Sequence, residues 1–301
     1  MAKDYFVNKV LATTVVGSYP VVKGSGLRSL FDPLHSAVET AVADQIAAGI
    51  DIISDGQVRG DMIGAFSGKI PGIKGQEVVG KIQPASTSIT VADTKYARSK
   101  APRVKGIVTG PSTLAHGLHI STPVYRNKEE LAADLAAALV PEVRGLEAAG
   151  ITLLQVDEPI LSTGVADLTV AKEAIDLITK SVKVPVCMHV CGNLGNVIDE
   201  ILKFNVQVLD FEFSKNPANL DLMSRRDLAG RMIGYGCVDS TTDEIEPVAE
   251  IKKRIERGTA IFGPKSMLID PDCGLRMRSR ASAFAKLKNM CEAAKEVRLA
   301  L

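Results

Sequence analysis

Short apolar runs alternate along the chain with longer segments whose apolar residues recur every three or four positions. The short runs are rich in β-branched residues, and several are apolar almost throughout, which is typical of parallel strands covered on both faces. This pattern predicts eight strands: Thr13–Val16, Ile50–Ser54, Lys105–Thr109, Thr152–Val156, Val184–Val190, Gln207–Glu212, Met232–Gly236 and Ser266–Asp270.

The segments between these strands predict helices. Two of them close with Ala-Ala-Gly, at Ala47–Gly49 and Ala148–Gly150, where glycine favours the end of a helix. The alternation indicates an α/β fold, a (β/α)8 TIM barrel spanning residues 1–301 as one domain, although an open doubly wound sheet gives a similar pattern. The predicted helices are Ser36–Ala48, Lys128–Ala149, Val170–Lys180, Asn196–Lys203, Asn216–Leu228, Ile245–Ile261 and Arg280–Leu299.

One segment interrupts this rhythm. The range Pro71–Arg98 is rich in glycine at its start and then contains the β-branched run Thr87–Val91. This composition predicts a β-hairpin inserted before the third strand. The sequence leaves open whether the hairpin covers a site or serves as a docking surface.

Charge and composition exclude several classes of partner. The chain has 36 Lys and Arg against 35 Asp and Glu, 4% aromatic residues and no Trp. It therefore lacks the basic surface and the stacking rings that nucleic-acid binding requires. No stretch approaches the roughly 18 apolar residues of a membrane span.

The cysteine count and the N-terminal stretch indicate a reducing compartment. Five cysteines in 301 residues are too few, and odd in number, for a disulfide framework. The first twenty residues lack the apolar core and the small-residue cleavage site of a secretory signal. We expect a cytoplasmic protein.

Nearly every predicted strand ends in a polar or glycine-rich group. In a TIM barrel these ends form a single face, on which functional residues lie. A purely structural barrel gains nothing from acids and thiols collected there. The groups are Gly17–Pro20, Asp55–Gln57, Gly110–Ser112, Asp157–Pro159, His189–Gly192, Glu212, Asp239–Ser240 and Asp272–Gly274.

A metal site is the first hypothesis for this face. His189 and Cys191 stand two residues apart on a strand, so their side chains point to the same side. Glu212 and Cys273 end two further strands, and a mixed N, S and O set suits tetrahedral Zn²⁺. The alternative stays open, because a cysteine is often only a small buried apolar residue.

The other three thiols have weaker claims. Cys187 shares the strand parity of Cys191 but lies deeper, so we expect it in the core. Cys291 falls in the last predicted helix and is expected to pack there. Cys237 ends a strand, and the sequence does not decide whether it reaches the site.

Two further strand ends are suited to binding an amino acid. A glycine at Gly17, followed by Ser18, lets backbone N–H groups approach an anion such as a carboxylate, although a tight turn with a capping serine explains the pair equally well. Asp157 and Glu158 are adjacent acids that point in opposite directions along a strand. One is expected to face the barrel mouth, where it can bind an ammonium group or act as a base, and the other to make a structural pair.

Four segments in the same order give the sequence a family resemblance. They are Thr14–Pro20, Gln155–Pro159, His189–Gly192 and Asp270–Leu275. Together they resemble the C-terminal catalytic barrel of cobalamin-independent methionine synthase, with matching segments from about Leu11 to Leu299. The resemblance implies a zinc-containing TIM barrel that methylates homocysteine.

The resemblance also implies roles for individual residues. His189, Cys191 and Cys273 match zinc ligands directly, and Glu212 matches the fourth ligand within a less similar segment. For the substrate, Gly17 and Ser18 match the backbone positions that hold its carboxylate, and Asp157 matches the acid that binds its ammonium group. Asp55 and Gln57 fall where the family has a glutamate, but the alignment there needs a gap, so either could contact substrate.

The sequence departs from the family where the folate donor binds. The family uses a Trp after the third strand and a His after the seventh, whereas this chain has Leu114–His116 and Asp239–Thr241 at those places. The pattern resembles the short, single-barrel archaeal and bacterial relatives thought to take methyl groups from a corrinoid. We therefore expect methyl transfer to homocysteine from methylcobalamin held by a partner protein.

Four alternatives stay open at this point. The acceptor could be another thiol such as coenzyme M, or the donor could be methyltetrahydrofolate. A zinc hydrolase is less favoured, because two thiolates make zinc a weak Lewis acid and no histidine-rich ligand set is present. A subunit that binds zinc or a corrinoid without catalysis is the fourth.

Overall fold

A computed structural model describes residues 8–22 and 32–301. Its central element is a sheet of seven parallel strands, as the apolar runs predicted. These strands are β1 (Ala12–Thr13), β4 (Lys105–Thr109), β6 (Leu153–Asp157), β7 (Val186–Val190), β8 (Val208–Glu212), β9 (Met232–Gly236) and β10 (Met267–Asp270). Residues 1–7 belong to the N-terminal stretch that lacks the features of a secretory signal, and they lie outside the described part.

The sheet curls into a barrel. Its strands lie in the order β1-β10-β9-β8-β7-β6-β4, with every adjacent pair parallel. Isolated bridges join Thr14 to Ile52 and Ile53 to Val104, so the short segment Ile52–Ile53 takes the place of the second strand between β1 and β4. Eight strand positions then follow one another around the barrel, which confirms the predicted TIM-barrel fold.

Helices follow the barrel strands and cover the outside. The longest helix, Lys128–Ala148, begins after Asn127, whose side chain accepts a hydrogen bond from the Glu130 backbone N–H at 2.9 Å. The helices are α1 (His35–Ala48), α2 (Gly64–Ser67), α3 (Val91–Lys100), α4 (Pro111–Gly117), α5 (Lys128–Ala148), α6 (Leu168–Lys180), α7 (Ile198–Ile201), α8 (Pro217–Met223), α9 (Val248–Phe262) and α10 (Arg280–Leu299). Short 3₁₀ turns occupy Pro159–Thr163 and Pro264–Ser266.

The predicted hairpin is present but is shorter than expected. Strands β2 (Ile73–Lys74) and β3 (Glu77–Val78) pair antiparallel, and β5 (His119–Ile120) adds to β3 in parallel. The β-branched run Thr87–Val91, which the predicted range Pro71–Arg98 includes, is not a strand of this hairpin, and Val91 begins helix α3. A carboxylate from α5 decides this: Glu142 accepts hydrogen bonds from the backbone N–H groups of Ile89 and Thr90, at 2.8 and 2.6 Å, just before α3 starts.

The barrel interior is layered. At its amino-terminal end lies an apolar floor, to which six of the strand positions contribute one residue each: Ala12, Ile52, Leu153, Cys187, Val208 and Leu268. Two residues further along the same strands stand buried polar side chains, among them Gln155, His189, Asp210 and Asp270. The period of two along a strand therefore stacks a polar layer on the floor and directs it towards the carboxyl-terminal face.

A missing side chain on β9 makes room for this polar layer. A Cβ atom on Gly234 would lie 2.6 Å from Cγ of Asp210, closer than carbon atoms approach one another. Within the described residues, no helix is both long and apolar enough to cross a membrane.

Candidate metal centre

Three of the four predicted ligands meet at the carboxyl-terminal end of the barrel. His189 lies near the end of β7, Cys191 follows that strand, and Cys273 follows β10. One ligand atom of each lies within 4.8 Å of the other two. Two sulfurs bound to one tetrahedral zinc ion stand about 3.8 Å apart, given Zn–S bonds of about 2.3 Å. The cluster is therefore close to the spacing that zinc requires.

The surroundings of His189 fit a metal ligand. Its Nδ1 lies 3.3 Å from Oδ1 of Asp210, which the β7–β8 register places directly beside it. Among the described residues, neither ring nitrogen has a hydrogen bond of good geometry, although both are buried. A carboxylate behind one nitrogen is the usual arrangement for a ligating histidine, because it orients the ring and leaves the other nitrogen for the ion.

The thiols are electronically suited to the same role. A hydrogen bond from Cys191 lowers the pKa of Cys273 well below that of an ordinary thiol, and His189 acts in the same direction. The shared proton correspondingly raises the pKa of Cys191. A metal binds cysteine as the thiolate and displaces such protons, so the pair is poised to act as ligands.

Two buried side chains connect the loops that carry the ligands. Asp272 accepts hydrogen bonds from three successive backbone N–H groups after β8, residues 213–215, at 3.1, 2.9 and 2.7 Å. The Asn219 amide donates to the carbonyls of Gly192 and Glu212, at 2.9 and 3.1 Å. The loops after β7, β8 and β10 are thereby held to one another.

Glu212 is not part of the three-residue cluster. It ends β8 as predicted and is buried, but its carboxylate accepts a hydrogen bond from the Asn216 amide at the start of α8. Its role as the fourth ligand stays a prediction. The remaining thiols lie elsewhere: Cys187 in the barrel floor, Cys237 in the outer core and Cys291 half-buried on α10.

Asp157 and Glu158 have separated roles, as their alternation on β6 required. Asp157 stands beside His189 in the strand register, and its Oδ1 accepts a hydrogen bond from the Gln155 amide at 2.6 Å. Burial raises the pKa of Asp157 to about 6, although His189 and Gln155 act in the opposite direction. Glu158 instead accepts hydrogen bonds from the N–H groups of Ser112 and Thr113 at the start of α4.

The Gly17–Ser18 segment lies next to the thiol end of the cluster. The Ser18 carbonyl accepts a hydrogen bond from the Leu275 N–H at 2.8 Å, and a small cavity is lined by Gly17, Ser18, Cys273 and Gly274. Gly17 has φ +152°, and a Cβ there would lie 2.4 Å from Ile107 and 2.7 Å from the Gln57 side chain. Only glycine fits at this position.

Asp55 and Gln57 line the same end of the barrel. Asp55 accepts a hydrogen bond from the Gln57 N–H at 2.9 Å, and burial raises the pKa of Asp55 to about 7. Gln57 has a left-handed backbone with φ +45°, and Arg276 donates to its carbonyl at 2.9 Å. The Gln57 side-chain amide lies beside Gly17, whereas the Asp55 carboxylate is bonded within the turn.

The two loops where the resemblance expects folate-binding residues, Leu114–His116 and Asp239–Thr241, make internal contacts of their own. Leu114 is fully buried within α4, and the His116 ring bonds to the Ser112 carbonyl at 2.9 Å. Asp239 forms a local turn by accepting hydrogen bonds from the N–H and hydroxyl groups of Thr241, both at 2.7 Å.

Comparison with known proteins shows the family to which the chain belongs. A sequence model described as "Cobalamin-independent synthase, Catalytic domain" matches residues 11–296. The methionine synthase of Methanothermobacter thermautotrophicus is 42% identical to this chain, over 94% of it and 99% of the relative. That of Methanocaldococcus jannaschii is also 42% identical, over 96% and 100%.

The chain belongs to the cobalamin-independent methionine synthase family. A solved B12-independent methionine synthase from Shewanella sp. W3-18-1, in complex with selenomethionine, has the same fold, with a TM-score of 0.88 at 23% identity, covering 97% of this chain and 100% of that one. The predicted enzyme class, a methyltransferase of the methionine synthase type, is confirmed.

Sequence reasoning missed the residues that support the cluster. Asp210 and Gln155 each precede a predicted site residue by two positions on the same strand, so strand parity could have found them. Asp272 and Asn219 act on backbone groups of distant loops. Such contacts leave no local pattern in the sequence.

The buried carboxyl of Asp55 generates a pH-dependent prediction. Its folded pKa of about 7 is above the ordinary value of 3.8, so Asp55 stabilises the fold below the unfolded pKa and loses that contribution as the pH rises towards 7. We expect the free energy of unfolding of Asp55→Asn to increase relative to the wild type between about pH 4 and about pH 8. Urea denaturation of both proteins checks this, and a constant difference would contradict it.

Proposed function

We propose that this protein forms methionine by transferring a methyl group to the sulfur of homocysteine, with zinc bound by His189, Cys191 and Cys273. The observation that carries the proposal is the meeting of these three side chains at the mouth of a barrel that belongs to this family. Glu212 is proposed as the fourth ligand, which requires its carboxylate to come closer to the three-residue cluster. Zinc so held would keep the incoming sulfur as a nucleophilic thiolate at neutral pH.

The chain itself supplies the positions for the two ends of the amino acid. Asp157 is proposed to receive the ammonium group, because it is buried beside His189 and one carboxylate oxygen has no donor among the described residues. Gly17 and Ser18 are proposed to hold the carboxylate through the backbone, next to Cys273. Holding both ends leaves the sulfur at the metal, and this positioning lowers the barrier to attack.

A methylcorrinoid carried by a partner protein is the proposed donor. Transfer from a tertiary folate amine requires an acid that protonates the leaving nitrogen, whereas transfer from methylcobalamin does not. In the corrinoid reaction the sulfur–carbon bond forms as the cobalt–carbon bond breaks. Both electrons of the cobalt–carbon bond stay on cobalt, which leaves as Co(I). The buried Leu114 and the closed Asp239–Thr241 turn, where the family has its folate-binding groups, support this choice.

The metal ligands are tested by a pair of matched substitutions. We expect Cys273→Ser to lower bound zinc by at least about tenfold and to abolish methionine formation, because the hydroxyl does not replace a thiolate ligand. Cys291→Ser makes the same chemical change on α10, outside the cluster, and is expected to alter neither property. Elemental analysis of both variants checks this, and full zinc content in Cys273→Ser would contradict the site.

The acceptor is tested through the ammonium-binding acid. Asp157→Asn is expected to raise the KM for homocysteine by about 10- to 100-fold, because it removes a buried charged hydrogen bond worth about 1.5–3 kcal/mol. Coenzyme M has a sulfonate and no ammonium group, so its turnover by the same proteins is the matched comparison with the turnover of homocysteine. Unchanged kinetics with homocysteine, or better turnover of coenzyme M by the wild type, would favour another thiol as the acceptor.

The donor is tested by supplying each candidate separately. Zinc-loaded protein with homocysteine should form methionine from methylcobalamin much faster than from methyltetrahydrofolate, because the Asp239–Thr241 loop has no imidazole that could protonate the folate nitrogen. Measuring methionine over time distinguishes the two. Efficient formation from the folate alone would overturn the donor assignment.

A further inference from the structure

A lysine lies inside the barrel, in the polar layer below the candidate metal centre. Lys105 is 1% exposed, and its Nζ donates to the Val15 carbonyl at 2.8 Å and to Oε1 of Gln155 at 2.7 Å. Among the described residues, no carboxylate hydrogen-bonds to this ammonium group. A buried cation without a paired carboxylate is costly, so both of its acceptors are expected to be held firmly.

The ammonium group of Lys105 sets the orientation of the Gln155 amide. An ammonium only donates hydrogen bonds, so it can contact only the oxygen end of the amide. The NH₂ end is thereby directed the other way, where Nε2 donates to the Val16 carbonyl and to Oδ1 of Asp157, both at 2.6 Å. Each of these partners is an acceptor, so the reversed amide would leave unpaired groups on both sides.

The two residues therefore join both proposed substrate-binding positions. Val15 and Val16, whose carbonyls they hold, directly precede Gly17 and Ser18 in the chain. Asp157 receives the Gln155 amide on one oxygen, which fixes the plane of its carboxylate and leaves the other oxygen for a ligand. Gln155 is fully buried, so solvent does not replace these bonds.

We propose that Gln155, oriented by Lys105, is a positioning residue that aims the Asp157 carboxylate at the ammonium group of the substrate. The inference rests on the proposed function, because it assigns Asp157 to homocysteine. It goes further by making substrate affinity depend on two buried side chains that touch neither substrate nor metal. Selectivity for an amino-acid thiol is then built into the barrel interior.

A double-mutant cycle on binding tests this without a methyl donor. Isothermal titration calorimetry of zinc-loaded protein gives the homocysteine affinity of the wild type, Gln155→Met, Asp157→Asn and the double variant. If Gln155 acts through Asp157, we expect losses of about 10-fold and about 30-fold for the single variants and again only about 30-fold for the double variant. Independent roles would multiply the losses to about 300-fold, and that result would overturn the proposal.

A matched ligand separates aim from general damage. 4-Mercaptobutanoate is homocysteine without its amino group, so its affinity should change less than about threefold in Gln155→Met, since its binding makes no use of the Asp157 charge. An equal loss for both ligands would show that the substitution merely disturbs the barrel and would contradict the proposal. Lys105→Met is expected to reproduce the selective loss, because it frees the amide to reverse.

One further variant and two distinguishable outcomes keep the test decisive. If Gln155→Met does not fold, Gln155→Asn keeps the amide but is too short to reach both Lys105 and Asp157, and the same selective loss is expected. Failure of the proposed function has a different signature, which is absence of homocysteine binding to the wild type. If the wild type binds homocysteine well but the losses in the variants multiply, or are equal for the two ligands, then Gln155 does not act through Asp157.

Discussion

The pairing of β7 with β8 places an imidazole directly beside a buried carboxylate, and the rest of the site depends on this contact. Asp210 lies 3.3 Å from Nδ1 of His189, and a carboxylate at one ring nitrogen leaves the other nitrogen for a metal ion. The strand register fixes this neighbourhood independently of any loop. Because Cys273 arrives from the other side of β9, the barrel must close before the three ligands can meet.

Closure of the barrel also explains why so many ionisable groups are buried together. Asp210 and Asp270 stand in the same polar layer, and burial together with the nearby Asp210 raises the pKa of Asp270 well above its usual range. Lys105 supplies a positive charge to the layer. Acids, a cation and an imidazole thus compensate one another inside an apolar wall, which is the environment in which a metal ion and its thiolates are stabilised.

The fold could be predicted from the sequence because its strands are nearly continuous apolar runs. The bounds of β4, β9 and α10 agree with their predictions. The meeting of His189, Cys191 and Cys273 followed from the rule that functional residues lie at the carboxyl ends of barrel strands. The hairpin range was too long because Thr87–Val91 has β-branched residues, while Glu142, distant in sequence, imposes the start of a helix there. The interior position of Lys105 could not be predicted, because the residues next to it in the sequence do not indicate a buried cation.

The absence of a side chain at Gly234 has a consequence for how this site tolerates change. Strand β9 contributes no ligand to the cluster, yet any larger residue at this position would push against Asp210, the carboxylate that steers His189. A substitution there would displace Asp210 and, through it, the imidazole of His189. A substitution on a strand that contributes no residue to the cluster would therefore disturb the cluster through Asp210.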